Sequence, residues 1–167
     1  MIRLLGALPK NVYVAVSGGP DSMAVLDFIR RGKRDVTVLY FHHGTPHGQE
    51  AYDFVDFYCR SNRIPIEVGK ISKKENKSKS KEEHWRDERH SFFTSFDGPV
   101  VTGHHLDDAM EWWIFSSLHG KGKLIPRTRD NVIRPFLLTP RADLLAWNQK
   151  NDLPYIVDPG NKDETFM

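Results

Sequence analysis

The sequence predicts an α/β protein, a Rossmann-like three-layer sandwich with a central parallel sheet of about five strands and helices on both faces. Short apolar runs alternate along the chain with longer segments of helical periodicity, which is the pattern of repeated strand and helix units. The apolar runs are continuous, as expected for strands that are covered on both faces. With 167 residues the chain has the size of one domain, and we expect a single domain over 1–167.

The predicted elements follow in order from the first strand. Residues 12–16 form the β-branched run Val-Tyr-Val-Ala-Val, which ends at the turn-forming segment Ser-Gly-Gly-Pro-Asp-Ser. The helix after this turn carries apolar residues at helical spacing until Gly32, a typical helix stop. Further strands are predicted at residues 36–41, 64–68, 99–102 and 132–134, and further helices at residues 49–62, 82–96, 107–118 and 140–151.

The helix predicted at residues 107–118 is rich in large apolar side chains. Five of its residues share one face that we expect to pack on the core, namely Met110, Trp113, Ile114, Ser117 and Leu118. Trp112 and Phe115 lie off this stripe. Two interpretations stay open for them, a second core contact or stacking on a nucleic-acid base.

Composition excludes several classes of protein. The hydrophobic share of 39% against 28% charged residues is that of a globular protein, and apolar runs are far shorter than the roughly 20 residues of a membrane span. Residues 1–8 have no long apolar segment typical of a secretory signal, so we expect a cytoplasmic protein. The single cysteine, Cys59, excludes an intrachain disulfide or a multi-cysteine metal site, and we expect it to be a small buried apolar residue.

Charge is unevenly distributed although the net charge is only +2. Six lysines lie within residues 70–81, with Glu75 as the single acidic residue among them. Such a run is typical of a solvated loop. The alternative is a basic arm that binds phosphates by charge without reading bases.

The turn after the first strand has the features of a phosphate site. Gly18 and Gly19 allow a sharp turn and a close approach of the backbone to a ligand, and the following helix offers free N–H groups. Ser17, Asp21 and Ser22 supply polar side chains. The segment lacks the lysine of a Walker loop. The alternative is an ordinary Gly-Pro turn in which Asp21 or Ser22 caps the helix.

A second polar cluster follows the fourth predicted strand. His104 and His105 precede Asp107 and Asp108 at the start of a helix. At the carboxyl edge of a parallel sheet, paired carboxylates together with Asp21 would hold Mg²⁺ near a nucleotide. The histidines would donate to negative charge or shuttle protons. Alternatively, the carboxylates only stabilise the helix N-terminus and the histidines are polar loop residues, while a zinc site is disfavoured by the adjacent spacing.

Arg86 and Arg89 are three residues apart and share a face of the helix predicted at 82–96. Arginine pairs of this kind bind phosphates or nucleobase edges. The alternative is that both are solvent-facing partners of neighbouring acidic residues, namely Glu82, Glu83 and Glu88.

The segment 17–22 resembles the Ser-Gly-Gly-x-Asp-Ser PP-loop of the N-type ATP pyrophosphatases, which cleave ATP to AMP and pyrophosphate. Within that superfamily the resemblance is to the tRNA(Ile)-lysidine synthetase branch. It extends over nearly the whole chain, through His43-Gly44, residues 86–90, residues 103–108 with Glu111, residues 134–137, Arg141 and residues 158–163.

The resemblance implies a reaction in which ATP adenylates the carbonyl oxygen of a cytidine in a tRNA anticodon, after which the amine of free lysine displaces AMP. ATP and Mg²⁺ are the implied cofactors, and tRNA and lysine the implied partners. The implied ATP-binding residues are Ser17, Gly18, Gly19, Asp21, Ser22 and His104. The implied catalytic residues are Asp21, His105, Asp107 and Asp108, of which the three aspartates would hold the metal. The implied acceptor-binding residues are Arg86, Arg89 and Glu111.

The chain departs from the family pattern in three places. His42 stands where the family usually has Asp before His-Gly, and Ala109 follows the paired aspartates where Gln is usual. The glycine-rich stretch is shortened to residues 120–125, and we expect no separate tRNA-binding domain in these 167 residues. Two alternatives therefore stay open: adenylation of another acceptor, a small molecule or a different RNA, and a nucleotide-binding remnant without turnover. The sequence does not indicate whether the protein is a monomer or an oligomer.

Overall fold

Six strands and five helices alternate along residues 1–72 and 80–157, the part of the chain that the computed structural model describes. The strands are β1 (Asn11–Ala15), β2 (Asp35–His42), β3 (Ile66–Lys70), β4 (Val100–Val101), β5 (Thr128–Arg129) and β6 (Val132–Ile133). The helices are α1 (Pro20–Arg31), α2 (Pro46–Ser61), α3 (Lys81–Thr94), α4 (Leu106–Leu118) and α5 (Arg141–Lys150). Most of the lysine run and the motif at 158–163 lie outside the described residues.

The strands form one sheet in the order β3-β2-β1-β4-β6-β5. Five of these strands are parallel, as expected, whereas β5 pairs antiparallel with β6 and was not predicted. With two exposed polar residues, β5 has no apolar pattern that indicates a strand. From β1 the chain adds β2 and β3 on one side of the sheet, and it then crosses to the other side of β1, where β4 and β6 follow. The gap between the carboxyl ends of β1 and β4 is therefore the topological switch point, where such folds bind ligands.

Helices cover both faces of the sheet, as the continuous apolar strands predicted. Val12 and Val14 of β1 point into the main core, which also contains buried side chains of α1, α2 and α5. Tyr13 and Ala15 point to the opposite face and pack in a smaller cluster around Phe93 of α3. The alternation follows from the period of two residues in a strand.

The buried residues of α2 form one apolar stripe, namely Ala51, Val55, Tyr58 and Cys59. The Cys59 thiol is fully buried, as expected. Burial, together with the negative charge of Asp56, raises the pKa of Cys59 to about 11. Cys59 is therefore an unreactive packing residue.

The prediction that the apolar stripe of α4 packs on the core is wrong. Met110, Trp113, Ile114 and Leu118 are all exposed, and the buried residue of this helix is Ser116. The core interpretation of Trp112 and Phe115 is also wrong, since both side chains are exposed. Periodicity correctly predicted a helix, but the apolar residues lie on most of its circumference and do not specify which side faces the sheet.

None of the helices in residues 1–72 and 80–157 combines the length and the apolar character that crossing a bilayer requires.

Candidate active site

The loop between β1 and α1 is shaped by Gly18. Its φ of +87° is in the left-handed region, which residues with a Cβ rarely adopt. A Cβ at this position would also lie only 3.2 Å from the Ile156 side chain and 3.3 Å from Val55. The carbonyl oxygen of Gly18 accepts a hydrogen bond from the Ile156 N–H at 2.9 Å, which fixes the loop from its other side.

The N-terminus of α1 opens at this loop without a side-chain cap. Ser22 does not cap the helix, because its hydroxyl accepts from Ser17 N at 3.2 Å and donates to Gly19 O at 3.0 Å, both within the loop. Pro20 begins the helix and has no N–H of its own. The capping alternative for Asp21 or Ser22 is therefore wrong, and the positive end of the α1 dipole is left for an anion.

Asp108 and His105 form a reciprocal cap at the start of α4. The Asp108 carboxylate accepts from His105 N at 2.8 Å, and Nδ1 of His105 accepts from Asp108 N at 3.4 Å. Nε2 of His105 faces the Asp21 carboxylate at 3.9 Å. The imidazole is buried between these carboxylates. His105 therefore joins the start of α4 to the loop after β1, across the switch point.

Arg141 joins the same group of side chains from the start of α5. Its backbone N–H donates to Asp107 Oδ2 at 2.7 Å, and its guanidinium Nε lies 3.3 Å from Asp21 Oδ1. The sequence resemblance included Arg141 but assigned it no role. Its position between two carboxylates offsets part of their mutual repulsion.

The carboxylates fit a magnesium ion that arrives together with a nucleotide. Within residues 1–72 and 80–157, no three His, Cys, Asp or Glu side chains are placed to hold an ion by themselves. Mg²⁺ is usually bound by one or two carboxylates, with substrate phosphates and water as the other ligands. Asp21, Asp107 and Asp108 each have one carboxylate oxygen engaged by Arg141 or by the helix cap, so each keeps a second oxygen for the ion, with the α1 N-terminus beside them for the phosphates.

His104 follows β4 and turns towards the basic side of the site. Its Nδ1 lies 2.8 Å from the Thr102 hydroxyl. Burial, and then the positive charge of Arg134, lowers the pKa of His104 to about 4. The ring is therefore neutral at pH 7, so that His104 can donate or accept a hydrogen bond but carries no charge. Thr102 was not singled out in the sequence, and Arg134 belongs to the segment 134–137 of the resemblance, which assigned it no role.

His42 is held by the loop that follows β2. The Gly44 N–H donates to His42 Nδ1 at 2.8 Å, so the ring proton lies on Nε2, which reaches Gln49 Oε1 at 3.2 Å. Gln49 in turn donates to Asp53 at 2.8 Å. Both ring nitrogens of His42 thus have partners, and the residue that replaces the family's Asp serves the loop and the start of α2.

Arg89 of α3 lies close enough to the switch point to affect two histidines. Its positive charge lowers the pKa of both His43 and His104. Arg86 in turn lowers the pKa of Arg89, although loss of solvent is the larger cause. Both arginines are exposed on α3, as the solvent-facing alternative expects, and the charge of Arg89 reaches the histidines that follow β2 and β4. Glu111 is exposed on α4, one turn beyond Asp107.

Replacing His43 is expected to remove part of the acid sensitivity of the fold. Burial, and then the charges of Arg89 and His42, lowers the pKa of His43 to about 4, whereas the unfolded residue has a pKa of about 6.5. As pH falls from about 6.5 to 4, the unfolded chain binds a proton that the folded chain excludes, so stability falls. Since His43 is partly exposed, we expect this group to contribute about 1 kcal/mol.

Urea denaturation at pH 7 and pH 4.5 measures this effect. The wild type should lose about 1 kcal/mol more than His43→Phe between the two pH values. His43 packs against Trp85 at a ring-centroid distance of 5.0 Å, which the phenyl ring preserves. Equal losses in both proteins would contradict the prediction.

A cavity of about 1080 Å³ lies at the opposite edge of the sheet, at the amino ends of β1 and β2. It is lined by arginines of α1 and the loops, including Arg30, Arg31 and Arg34. None of the residues predicted for the site lies there. The candidate site is at the switch point instead, where the glycine loop, the uncapped helix and the carboxylates meet.

Relatives with assigned names match most of this chain. A tRNA(Ile)-lysidine synthase from Thermotoga maritima is 30% identical over 169 residues, which covers 91% of this chain and 41% of the relative. The Bifunctional protein TilS/HprT from Listeria monocytogenes is 29% identical, over 93% of this chain and 27% of that protein. The chain thus spans less than half the length of these relatives.

Solved structures show the same fold at low identity. The NH3-dependent NAD synthetase from Campylobacter jejuni has a TM-score of 0.61 at 14% identity, over 89% of this chain and 66% of that chain. The NMN synthetase from Francisella tularensis has a TM-score of 0.57 at 13% identity, over 87% of this chain and 63% of that chain. At these identities the likeness concerns the fold alone.

A family model described as the PP-loop domain matches residues 5–167. The match includes the loop at 17–22 and the start of α4, so the similarity covers the same residues that the structure brings together at the switch point. Because the model covers nearly the whole sequence, the chain belongs to the PP-loop family of ATP pyrophosphatases, which use ATP with Mg²⁺.

Proposed function

We propose that this protein adenylates a cytidine of a tRNA anticodon with ATP and then joins lysine to the activated base. In the first step the base oxygen forms a bond to the α-phosphorus and pyrophosphate leaves. In the second step the lysine amine attacks the activated ring carbon, the C–O bond to AMP breaks, and the amine loses a proton to a nearby base. The overall products are the modified base, AMP and pyrophosphate.

The observation that carries this proposal is the uncapped N-terminus of α1 at the switch point, faced by the carboxylates of α4 and α1. Free N–H groups and a positive dipole end stabilise a departing pyrophosphate without any rearrangement. Asp21 would repel that anion unless a cation lay between them, which supports a role for Asp21 with Mg²⁺. The lysidine synthase names of the relatives support the acceptor and the amine.

Each residue then has a distinct task. Gly18 and Gly19 shape the loop, the Ser17 hydroxyl is exposed beside it, and neutral His104 supplies a hydrogen bond. Asp21, Asp107 and Asp108 would hold Mg²⁺, which neutralises charge on the phosphates. His105 positions Asp21 and Asp108 by its two contacts. The amine proton goes to Asp107, Asp108 or His105, all of which lie at the start of α4.

The acceptor would approach from the side of α3. Arg86 and Arg89 lie beside the carboxyl ends of β2 and β4, where a phosphate or a base edge of RNA can bind next to the nucleotide. Glu111 would contact the acceptor from α4. Their roles, the extent of the domain over 1–167 and a cytoplasmic location are predictions.

One observation favours a second candidate, a PP-loop enzyme that adenylates another acceptor. His42 occupies the position of the family's usual Asp, and both of its ring nitrogens already have partners. A carboxylate that would attract a cationic amine is therefore replaced by an imidazole whose two nitrogens are engaged. Under this alternative the ATP chemistry is unchanged and the acceptor differs.

Release of pyrophosphate from ATP, measured with and without tRNA and lysine, tests the proposal. We expect the release of pyrophosphate to require tRNA. We also expect lysine to be incorporated into the tRNA. Release with a small acceptor but not with RNA would favour the second candidate. No release with any acceptor would contradict both and indicate a nucleotide-binding remnant.

A further inference from the structure

The outward face of α4 is an apolar ridge. Met110, Ile114 and Leu118 follow one another at intervals of four residues and are 55%, 50% and 80% exposed. Trp113 and Phe115 flank them at 50% and 55% exposure. We call these five residues the α4 ridge. Side chains at this spacing form a continuous row along a helix, the kind of row that packs into a neighbouring helix.

The α4 helix is anchored at its two ends rather than along its length. At its start, Leu106 N donates to Thr139 O at 2.9 Å. At its end, the Ser116 hydroxyl bonds to the backbone of Lys123 at 2.8 and 3.1 Å. Ser116 is also the buried residue of this helix. A helix in a globular protein normally buries an apolar stripe, and within the described residues nothing covers the α4 ridge.

The area of the α4 ridge is close to what a dimer needs. Large apolar side chains bury roughly 150 to 250 Å² each when fully covered, so five that are at least half exposed present roughly 500 Å². This reaches the upper range of roughly 300 to 600 Å² for the largest patch on a typical monomer. Two such faces, with their polar margins, approach the roughly 1,200 Å² of a small specific interface.

Charge along α4 favours a second copy in antiparallel orientation. Asp107, Asp108 and Glu111 lie in its first half, whereas Lys121 and Lys123 follow its end. The backbone of this basic segment is held at the last turn, because Lys121 N donates to the Ser116 carbonyl oxygen at 2.8 Å. In an antiparallel pair the acidic half of one helix faces the basic end of the other, and the helix dipoles also oppose each other. A parallel pair would bring like charges together.

A hollow beside the α4 ridge provides space for a partner side chain. It measures about 340 Å³ and is lined by Trp112, Phe115, Ser116, His119, Lys121 and Lys123. Trp112 and Phe115 lie with their ring centroids 6.0 Å apart along it. A ridge and an adjacent hollow on one surface are complementary to a symmetry-related copy of that surface, as an isologous interface requires.

We propose that two copies of this chain associate through the α4 ridge, with the helices antiparallel about a two-fold axis near Ile114. The proposal does not rest on the identity of the acceptor, but Glu111 lies on the same helix, so an acceptor that contacts Glu111 and the second copy would share part of α4. Each copy keeps its own loop after β1 and its own carboxylates. The shared contact covers the part of α4 that the fold leaves exposed.

Sedimentation velocity over about 1 to 100 µM protein tests the association by mass action. We expect a concentration-dependent dimer in the wild type. Leu118→Glu should weaken the dimer by about 100-fold or more, because an unpaired carboxylate would be buried in an apolar contact. Phe57→Glu is the matched control, since Phe57 is 72% exposed on α2, and it should leave the dimer unchanged. Circular dichroism checks that both variants are folded.

A cysteine introduced at the proposed two-fold axis provides a second measurement, the crosslinking of two copies, which does not require the dimer to be weakened. Cys59 is the single native cysteine and is buried, so Ile114→Cys adds one accessible thiol. Mild oxidation should link two copies through this residue, whereas Phe57→Cys should link few. A wild type that is monomeric at about 100 µM, or a Leu118→Glu dimer of unchanged strength, would overturn the proposal. Quenching of tryptophan fluorescence by RNA in such a monomer, if it is lost in Trp113→Phe, would assign the ridge to nucleic acid.

Discussion

Replacing Asp21 with Asn is expected to lower pyrophosphate release from ATP by about 100-fold or more, the usual effect of removing a group that stabilises transition-state charge. Asp21 lies in the first turn of α1, beside the uncapped N–H groups, and faces His105 and Arg141. Asn keeps the shape but cannot neutralise a cation. The measurement is single-turnover pyrophosphate release at saturating ATP and Mg²⁺.

The control for this variant is Asp143→Asn, which changes an acidic residue in the first turn of α5 that pairs with the chain N-terminus. It should leave pyrophosphate release within about twofold of the wild type, since surface pairs of this kind contribute little. The Asp21→Asn variant should keep its thermal midpoint within a few degrees, because its contact with Arg141 is partly exposed. Unchanged release would remove Asp21 from the catalytic group.

Replacing Gly18 with Ala should abolish detectable ATP binding and destabilise the protein by about 2 kcal/mol. The methyl group would be strained at a φ of +87°, a conformation that costs roughly 1 to 2 kcal/mol for a residue with a Cβ. It would also lie 3.2 Å from Ile156 and 3.3 Å from Val55, so the loop would have to move. Isothermal titration with ATP and urea denaturation measure the two effects.

Gly120→Ala is the matched control for this backbone effect. Gly120 also has a positive φ, of +71°, but a Cβ there would have no neighbour within 4 Å. We expect a similar cost in strain, about 1 kcal/mol, with unchanged ATP affinity. If Gly18→Ala bound ATP as tightly as Gly120→Ala, the loop after β1 would not be the nucleotide site.

The α4 helix shows how far periodicity can be used. Its apolar residues correctly predicted a helix after the fourth strand, but the expected burial of Met110, Ile114 and Leu118 was wrong. Which side of a helix meets the sheet depends on where its ends are attached. Here Leu106 bonds to Thr139 at the start of the helix and Ser116 bonds to the following loop at Lys123, and neither residue stands out in the sequence pattern.

The site was predicted more completely than the packing around it. Loop residues 17–22 and the pair Asp107 and Asp108 were expected at one edge of the sheet, and contacts through His105 and Arg141 connect them there. The sequence assigned no role to Arg141, because it lies 120 residues from Asp21 in the chain and their contact is not visible in a local pattern. Thr102 was missed and Arg134 was given no role for the same reason, since their proximity to His104 depends on strand pairing and loop packing.

The sequence by itself determined the fold class, the parallel strands, the family and the position of the phosphate loop, because these depend on local patterns and on the chirality of strand and helix connections. Only the tertiary structure decided the remaining features. These are the neutral state of His104, the capping role of Asp108, the engagement of His42 and the exposure of the α4 ridge. Each depends on the solvent and charges around a side chain, which residues distant in the chain provide.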